Sequence, residues 1–376
     1  MSDDFKQKLE KYEKGELSGE ELVEFEKELA KLEDYQTVLN QDIDEPPKFK
    51  LNQKKIMFKG KWKARLQTAF TVLGILFIFT FFSSLITNIY YTTGTPNKMD
   101  LYQEIIEHSL TVTDPYGQYG GTSMGTKVYF GLEATKDINK MVGRDTIKVG
   151  EMEVNFLFSL MGYPIKNDFG KQSQETILFT HPHSEEYFSS DWEQLEHLPE
   201  GTVISAYITF NDLLATDTVL DLFLEKEIDV LWLAVDNGRP LDEDYGTVFN
   251  PIGFPSFPIW HDDDMTMDSQ ETEDGFWGTK ITMQEYSSPE YVEGDSVIIH
   301  EQFIKTLHFL KKHKRKANKI IDSRLDLEET LNYIEQNGIQ HYGAVITGPT
   351  KEILKLHEDP SIAQLVVDEV TFWNWD

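Results

Sequence analysis

The chain has 376 residues, a formal net charge of −30 and no cysteine. This composition excludes a disulfide framework, a cysteine zinc site and thiol chemistry, and the negative charge disfavours direct binding to nucleic acid. A chain of this length can bury one or two hydrophobic cores without covalent cross-links.

Residues 1–47 predict a short cytoplasmic helical hairpin, referred to below as the tail. Apolar side chains recur at three- and four-residue steps on both sides of a break at Gly15, and charged side chains take the other faces. About 40 residues cannot bury such a stripe alone, so we expect a partner protein or a second copy of the tail to cover it. The predicted partner-binding residues are Phe5, Leu9, Tyr12, Leu22, Phe25, Leu29, Leu32 and Tyr35.

A basic juxtamembrane segment, residues 48–65, precedes a long apolar one. Residues 67–91 carry no acidic or basic side chain apart from two terminal tyrosines, and as a helix they exceed the roughly 30 Å of bilayer hydrocarbon. We therefore predict a transmembrane helix over 66–91 in contact with the lipid bilayer. The positive-inside rule places the N-terminus in the cytoplasm, because six basic residues precede the span and only Lys98 closely follows it. They are Lys54, Lys55, Lys59, Lys61, Lys63 and Arg65.

The remaining residues predict the larger, extracytoplasmic part of an α+β protein. Residues 97–165 indicate a membrane-proximal, β-rich region that begins with a helix over 100–111. Residues 166–376 predict an α/β domain. Within it, residues 203–236 and 341–374 each run strand, helix, strand, which indicates two ferredoxin-like βαβ units.

Three motifs are better explained as structure than as chemistry. The segment 121–125 reads Gly-Thr-Ser-Met-Gly, but a loop precedes it and a strand-like segment follows, unlike a nucleophile elbow. His181 and His183 lack a third metal ligand at the usual spacing. The acidic segment 261–275 lacks EF-hand spacing, so we expect a flexible loop, with a low-affinity cation site as the alternative. The chain is therefore predicted to be no enzyme and to have no catalytic residue, metal or cofactor.

Several stretches are similar to those of a known family, and two motifs within them, GAVITGPTKE at 343–352 and FWNWD at 372–376, have no obvious compositional cause. In the tail they cover residues 5–36, and the C-terminal stretch is EVTFWNWD at 369–376. Between them lie FTHP at 179–182, LPEGTVISAYITF at 198–210, PIGFP at 251–255 and LNYIEQNGIQHYGAVITGPTKEILKL at 331–356. Together these stretches resemble the sigma factor regulator family, membrane-anchored anti-sigma factors of Gram-positive bacteria, and in particular the anti-sigma-M type.

This resemblance implies that the tail binds an extracytoplasmic-function sigma factor and that the outer domain responds to envelope stress. The sequence lacks the His-x3-Cys-x2-Cys zinc motif of another anti-sigma group, so helix packing alone would hold the sigma factor. A single helix transmits rigid motion poorly, so release is expected to need a regulatory protease or another membrane protein. The alternative function is a bitopic structural or scaffold protein of the cell envelope or division machinery.

Overall fold

The computed structural model describes residues 3–41, 53–169, 179–182, 184, 190–238, 248, 250–275, 278–321 and 325–373. The chain divides into two compact units, Met1–Leu76 and Phe77–Asp376. The predicted boundary near residue 165 stays a prediction, because the regions on both sides of it belong to the second unit.

The first unit contains two helices and the start of a third. Helix α1 spans Asp3–Glu13, α2 spans Glu20–Gln41, and α3 spans Gln53–Thr92. Gly15 and Gly19 have φ values of 70°, which lets the chain reverse between α1 and α2 without a side-chain clash. At 40 residues, α3 is about 60 Å long and contains the whole predicted span. Among the described residues it is the one helix that is long and apolar enough to cross a membrane.

The second unit begins with a helix packed on an antiparallel sheet. Its elements are α4 (Lys98–Thr113), β1 (Thr122–Lys127), β2 (Gly131–Val142), β3 (Asp145–Leu157), β4 (Leu160–Met161) and β5 (Ile165–Asp168). The order is β1-β2-β3-β4, and β5 also pairs with β3. Leu132 and Ala134 of β2 point to one face, where they join Ile105 and Ile106 of α4 in a buried cluster. The predicted helix and β-rich region are therefore both present.

A second sheet forms the centre of the C-terminal half. Its strands are β6 (Thr202–Leu214), β7 (Asp229–Val235), β8 (Ile252–Pro255), β11 (His341–Pro349) and β12 (Ile362–Phe372). The order is β12-β6-β11-β7-β8, with every neighbouring pair antiparallel. The helices are α5 (Trp192–Glu196), α6 (Thr216–Phe223), α7 (Ser296–Lys312), α8 (Lys314–Ile320), α9 (Leu327–Asn337) and α10 (Thr350–Leu354), and a 3-10 turn covers Lys355–Glu358.

Both faces of this sheet are covered. Ile204 and Ile208 of β6 belong to one hydrophobic cluster together with Phe303 of α7. Tyr207 of β6 belongs to another, which includes Trp232 of β7. Strand β11 is consequently buried along its whole length, as expected for a central strand with two packed faces.

The acidic segment is not the flexible loop that its composition predicts. It contributes β9 (Thr266–Gly275), which pairs antiparallel with β10 (Gly278–Ser287) in a separate two-stranded ribbon. Strand β10 supplies β-branched and aromatic residues, and its pairing with β9 satisfies the backbone despite the acidic side chains. His261 lies outside this ribbon and is buried.

Gly343 is expected to be intolerant of any side chain, because it lies where β11 passes β6. A Cβ atom there would overlap the carbonyl oxygen of Ile208 and lie 2.8 Å from the ring of Phe179. We predict that Gly343→Ala lowers the free energy of unfolding by about 1–3 kcal/mol, as overpacked cores do. Gly121→Ala is the matched control, since its Cβ meets no atom within 4 Å. Equal urea-unfolding midpoints for the two variants would contradict the prediction.

Candidate functional site

The tail helices form a small aromatic core. Phe25 of α2 is 2% exposed, and its ring centroid lies 5.4 Å from that of Phe5 and 5.5 Å from that of Tyr12. Leu17, in the connection between the helices, is also buried. Leu9, Leu22 and Leu29 are half-buried around this core. Six of the eight predicted partner-binding residues thus pack, at least in part, within the hairpin itself.

The other two residues lie on an uncovered part of α2. Helix α1 has 11 residues and α2 has 22, so α1 can cover only about half of its neighbour. Beyond the aromatic core, Leu32 is 39% exposed, Tyr35 71% and Leu39 64%. These three residues follow one another at three- and four-residue steps and so share one helix face. They are called the tail patch below.

The predicted membrane-orienting residues occupy the first turns of α3. Lys54, Lys55, Lys59, Lys61, Lys63 and Arg65 all have exposed side chains. The segment is therefore a helical continuation of the span, with its basic groups accessible to water or to lipid headgroups. Its role in fixing the orientation stays a prediction.

The C-terminal half of α3 has a polar stripe that its overall apolar composition does not predict. Thr80, Ser83, Thr87 and Tyr91 are spaced by three, four and four residues, which places them on one face of the helix. The last three are at most 2% exposed. The spacing of hydroxyl groups within an apolar helix could have revealed this face, although it gives no information about what the face contacts.

The polar stripe binds the backbone of two turns in the first sheet. Ser83 Oγ accepts the N–H of Tyr129 at 2.8 Å, and Thr87 Oγ1 accepts the N–H of Phe130 at 2.9 Å. The Tyr91 hydroxyl lies within hydrogen-bonding distance of the carbonyl oxygens of Phe130, at 3.0 Å, and Phe158, at 3.1 Å. These contacts between α3 and the β1–β2 and β3–β4 turns are called the turn clamp.

Both turns that the turn clamp holds contain residues with positive φ, a conformation that needs stabilising contacts. Tyr129, Phe130 and Phe158 have φ values of 62°, 69° and 53°, a region that costs L-residues roughly 1–2 kcal/mol each. Ring contacts accompany the hydrogen bonds, with centroids 4.7 Å apart for Phe130 and Phe158 and 5.0 Å apart for Tyr90 and Phe158. The C-terminal half of α3 and the first sheet are therefore joined by both hydrogen bonds and ring contacts.

The described residues of the Gly-Thr-Ser-Met-Gly and His181/His183 motifs lie in a strand and in a buried hydrogen-bonded site. Ser123 lies inside β1, not at a strand-to-helix turn. His181 is buried 3.7 Å from a carboxylate oxygen of Asp236, and His183 lies outside the described residues. Burial opposes the charge of Asp236, but hydrogen bonds from His181, the Tyr333 hydroxyl and the Gly238 N–H hold its pKa below the ordinary value. The hydrogen bond to Asp236 raises the pKa of Tyr333 to about 12.

Within the described residues, a helical tail, one helix long and apolar enough to cross a membrane and a mixed helix-and-sheet part fit a single-pass membrane protein. The model for the sigma factor regulator N-terminal region matches residues 54–147, and the model for the sigma factor regulator C-terminal region matches residues 195–369. The chain belongs to the sigma factor regulator family.

A curated relative is similar over the full length. The chain is 28% identical over 388 residues to the probable anti-sigma-M factor YhdL of Bacillus subtilis (strain 168), and the alignment covers 100% of both chains. No solved structure matches the chain. The tail precedes both ranges matched by the family models and is covered by the full-length comparison.

The hydroxyl groups of the turn clamp are expected to protect two backbone amides. Combining Ser83→Ala with Thr87→Val leaves the N–H groups of Tyr129 and Phe130 without acceptors, at about 1–3 kcal/mol for each buried group. We predict at least tenfold faster hydrogen exchange at these amides in the full-length protein in nanodiscs. Thr92→Val is the control, because the exposed Thr92 hydroxyl bonds within its own helix. Unchanged exchange in the double variant would show that the two hydroxyls do not hold the turns.

Proposed function

We propose that this protein is an anti-sigma factor that binds an extracytoplasmic-function sigma factor at the membrane and releases it under envelope stress. Membership of the sigma factor regulator family supports this role. The observation that carries the proposal is the tail patch, an apolar face on α2 that α1 is too short to cover.

The tail patch has the side-chain spacing of helices that bind in an apolar groove of a partner protein. Leu32, Tyr35 and Leu39 lie at i, i+3 and i+7, the spacing of anchors in helix-in-groove recognition. Acidic residues surround the anchors, and residues 1–50 carry 15 acidic and 8 basic side chains. This charge complements a basic DNA-binding protein such as a sigma factor, whose contact surfaces for RNA polymerase the tail would occupy.

The remaining tail residues then act by positioning. Phe5, Tyr12 and Phe25 hold α1 against α2, while Leu9, Leu22 and Leu29 flank this core. We propose that these six residues present the patch and that the sigma factor binds to the patch itself. The protein acts as a regulator without enzymatic activity and does not contact nucleic acid directly.

The proposed orientation places the tail in the cytoplasm and residues 97–376 outside the membrane. Its support is the set of six basic residues before the span, which are all exposed on the first turns of α3. The sigma factor is then bound on the side of the membrane where transcription takes place.

Release is proposed to follow cleavage by a regulatory protease or assembly with another membrane protein. The turn clamp supports a close link between the signal and the span, because a rearrangement of the first sheet must break its bonds to α3 or move the helix. We also infer that the C-terminal sheet is ferredoxin-like. The supporting observation is that β11 lies between β6 and β7, and β6 between β11 and β12.

The tail patch provides the test of this function. Tyr35→Asp combined with Leu39→Asp in the full-length chain is expected to weaken capture of one purified sigma factor from the same organism at least 30-fold. This loss corresponds to about 2 kcal/mol, the contribution of one binding hot spot. Val23→Asp is the matched control, since Val23 is 64% exposed like Leu39 but lies on the opposite face of α2.

Two results would contradict the proposal. One is capture of no sigma factor, with the tail instead retaining envelope or division proteins, which would favour the scaffold function. The other is equal weakening by the control, which would show that general acidity and not the tail patch governs binding.

A further inference from the structure

Two histidines and a glutamate come together inside the second unit. Glu104 and His108 lie one turn apart on α4, and the chain after β8 brings His261 to them. Glu104 Oε1 is 3.0 Å from His261 Nδ1 and 3.4 Å from His108 Nε2. The two imidazoles are 2% and 6% exposed, and the candidate ligand atoms of all three residues lie within 4.8 Å of one another.

His261 Nδ1 faces Glu104, and the contact of His261 Nε2 with Thr306 bears on whether Nδ1 carries a proton. The Thr306 hydroxyl donates its proton to the carbonyl oxygen of Gln302 at 2.8 Å. In this arrangement the Thr306 oxygen accepts the proton of His261 Nε2, which lies 2.9 Å away. A neutral His261 then directs the lone pair of Nδ1 at the carboxylate. A cation between these two atoms, either the proton of an imidazolium or a metal ion, accounts for their 3.0 Å separation.

His108 strengthens the case for a metal ion. Its Nε2 is buried and makes no hydrogen bond to any described residue, although it points to the same carboxylate. The neutral imidazole is the form of histidine that binds metals. Further acidic residues lie next to the ligands in sequence, Glu107 beside His108 and Asp262 beside His261.

We propose that Glu104, His108 and His261 form a binding site for one divalent transition-metal ion, Zn²⁺ by ligand chemistry. Two imidazole nitrogens and one carboxylate oxygen are a ligand set that zinc accepts. The hydrogen bond from His261 to Thr306 is the outer-shell contact that commonly orients a ligating histidine. The ion would join α4 to the chain after β8 and, through Thr306, to α7.

Metal binding can be measured on the full-length protein in detergent after removal of metal. We expect one Zn²⁺ per chain, a higher melting temperature with Zn²⁺ than with chelator, and at least 100-fold weaker binding in His108→Gln and in His261→Gln. His308→Gln is the matched control, because His308 is an exposed histidine on α7. Co²⁺ provides a readout that does not depend on stability, since its visible absorption reports direct ligation and should be lost in both ligand variants.

Three results would overturn the site. They are the absence of stoichiometric Zn²⁺ on the wild-type protein, binding that both ligand variants retain, and binding of Mg²⁺ or Ca²⁺ in preference to Zn²⁺. A ligand variant that fails to fold leaves the wild-type stoichiometry and the Co²⁺ spectrum as the test.

A second inference rests on a different observation, the exposed apolar side chains at and beside the two turns that the turn clamp holds. Val128, Leu157 and Leu160 are 46%, 51% and 71% exposed. The Tyr129 hydroxyl lies 2.8 Å from Thr80 Oγ1, which precedes Tyr91 by 11 residues, or about 16 Å along α3. Because Tyr90 and Tyr91 are the aromatic pair at the outer end of the span, the β1–β2 turn lies beside α3 well inside the apolar segment.

We infer that the two turns of the clamp insert into the outer leaflet of the bilayer. Non-helical backbone is tolerated in hydrocarbon only where protein groups satisfy its N–H and C=O groups. Side chains of α3 do this for the N–H groups of Tyr129 and Phe130. The single Tyr91 hydroxyl proton is shared between the carbonyls of Phe130 and Phe158, and the Phe130 carbonyl also accepts the N–H of Phe158. Lys127, next to the tip, forms an ion pair with Glu133, which lowers the cost of its position.

The absence of cysteine makes single-site labelling direct. Val128→Cys and Leu160→Cys, each carrying a nitroxide in nanodiscs, are expected to collide with oxygen and to be shielded from a water-soluble nickel chelate. Val292→Cys, at a position 76% exposed, should show the reverse. Nickel accessibility of both turn positions equal to that of position 292 would overturn the inference.

Discussion

The start of the second unit depends on a few backbone N–H and C=O groups that find hydrogen-bond partners at the turn clamp. Three consecutive stripe residues of α3 supply acceptors and a hydroxyl for turns whose backbone could not otherwise be stable away from water. Because the turns are fixed to the helix, so is the first sheet, and α4 then packs on that sheet through Ile105 and Ile106. The position of the first sheet and of α4 thus follows from one face of α3.

The tail differs from the turn clamp, because the apolar surface of its tail patch is left exposed. Its core consists of a few rings around Phe25, so it gains little stability from burial on its own. The unequal lengths of α1 and α2 concentrate the exposed apolar area on one end of one helix. A partner that covers the tail patch would stabilise the hairpin and be held by it, which couples binding to folding.

Sequence periodicity predicted the elements that depend on local patterns. The span, the tail helices and the two strand-helix-strand runs all follow from side chains a few residues apart. The turn clamp and the histidine pair could not be predicted in this way. Ser83 meets Tyr129, and Glu104 meets His261, only after the chain has folded back over 46 and 157 residues. The acidic composition of 261–275 predicts a loop, but residues 266–275 form a strand because the segment that follows pairs with them.

The placement of β6 has a consequence for the synthesis of the protein. Val203 pairs with Pro349 on one side and with Thr371 on the other, so both neighbours of this buried apolar strand lie near the end of the chain. Strand β6 therefore emerges from the ribosome long before either partner exists. It cannot take its final place until the last strand has been made, and such distant pairing is intrinsically slow. The nascent chain has to keep β6 from aggregating during that interval.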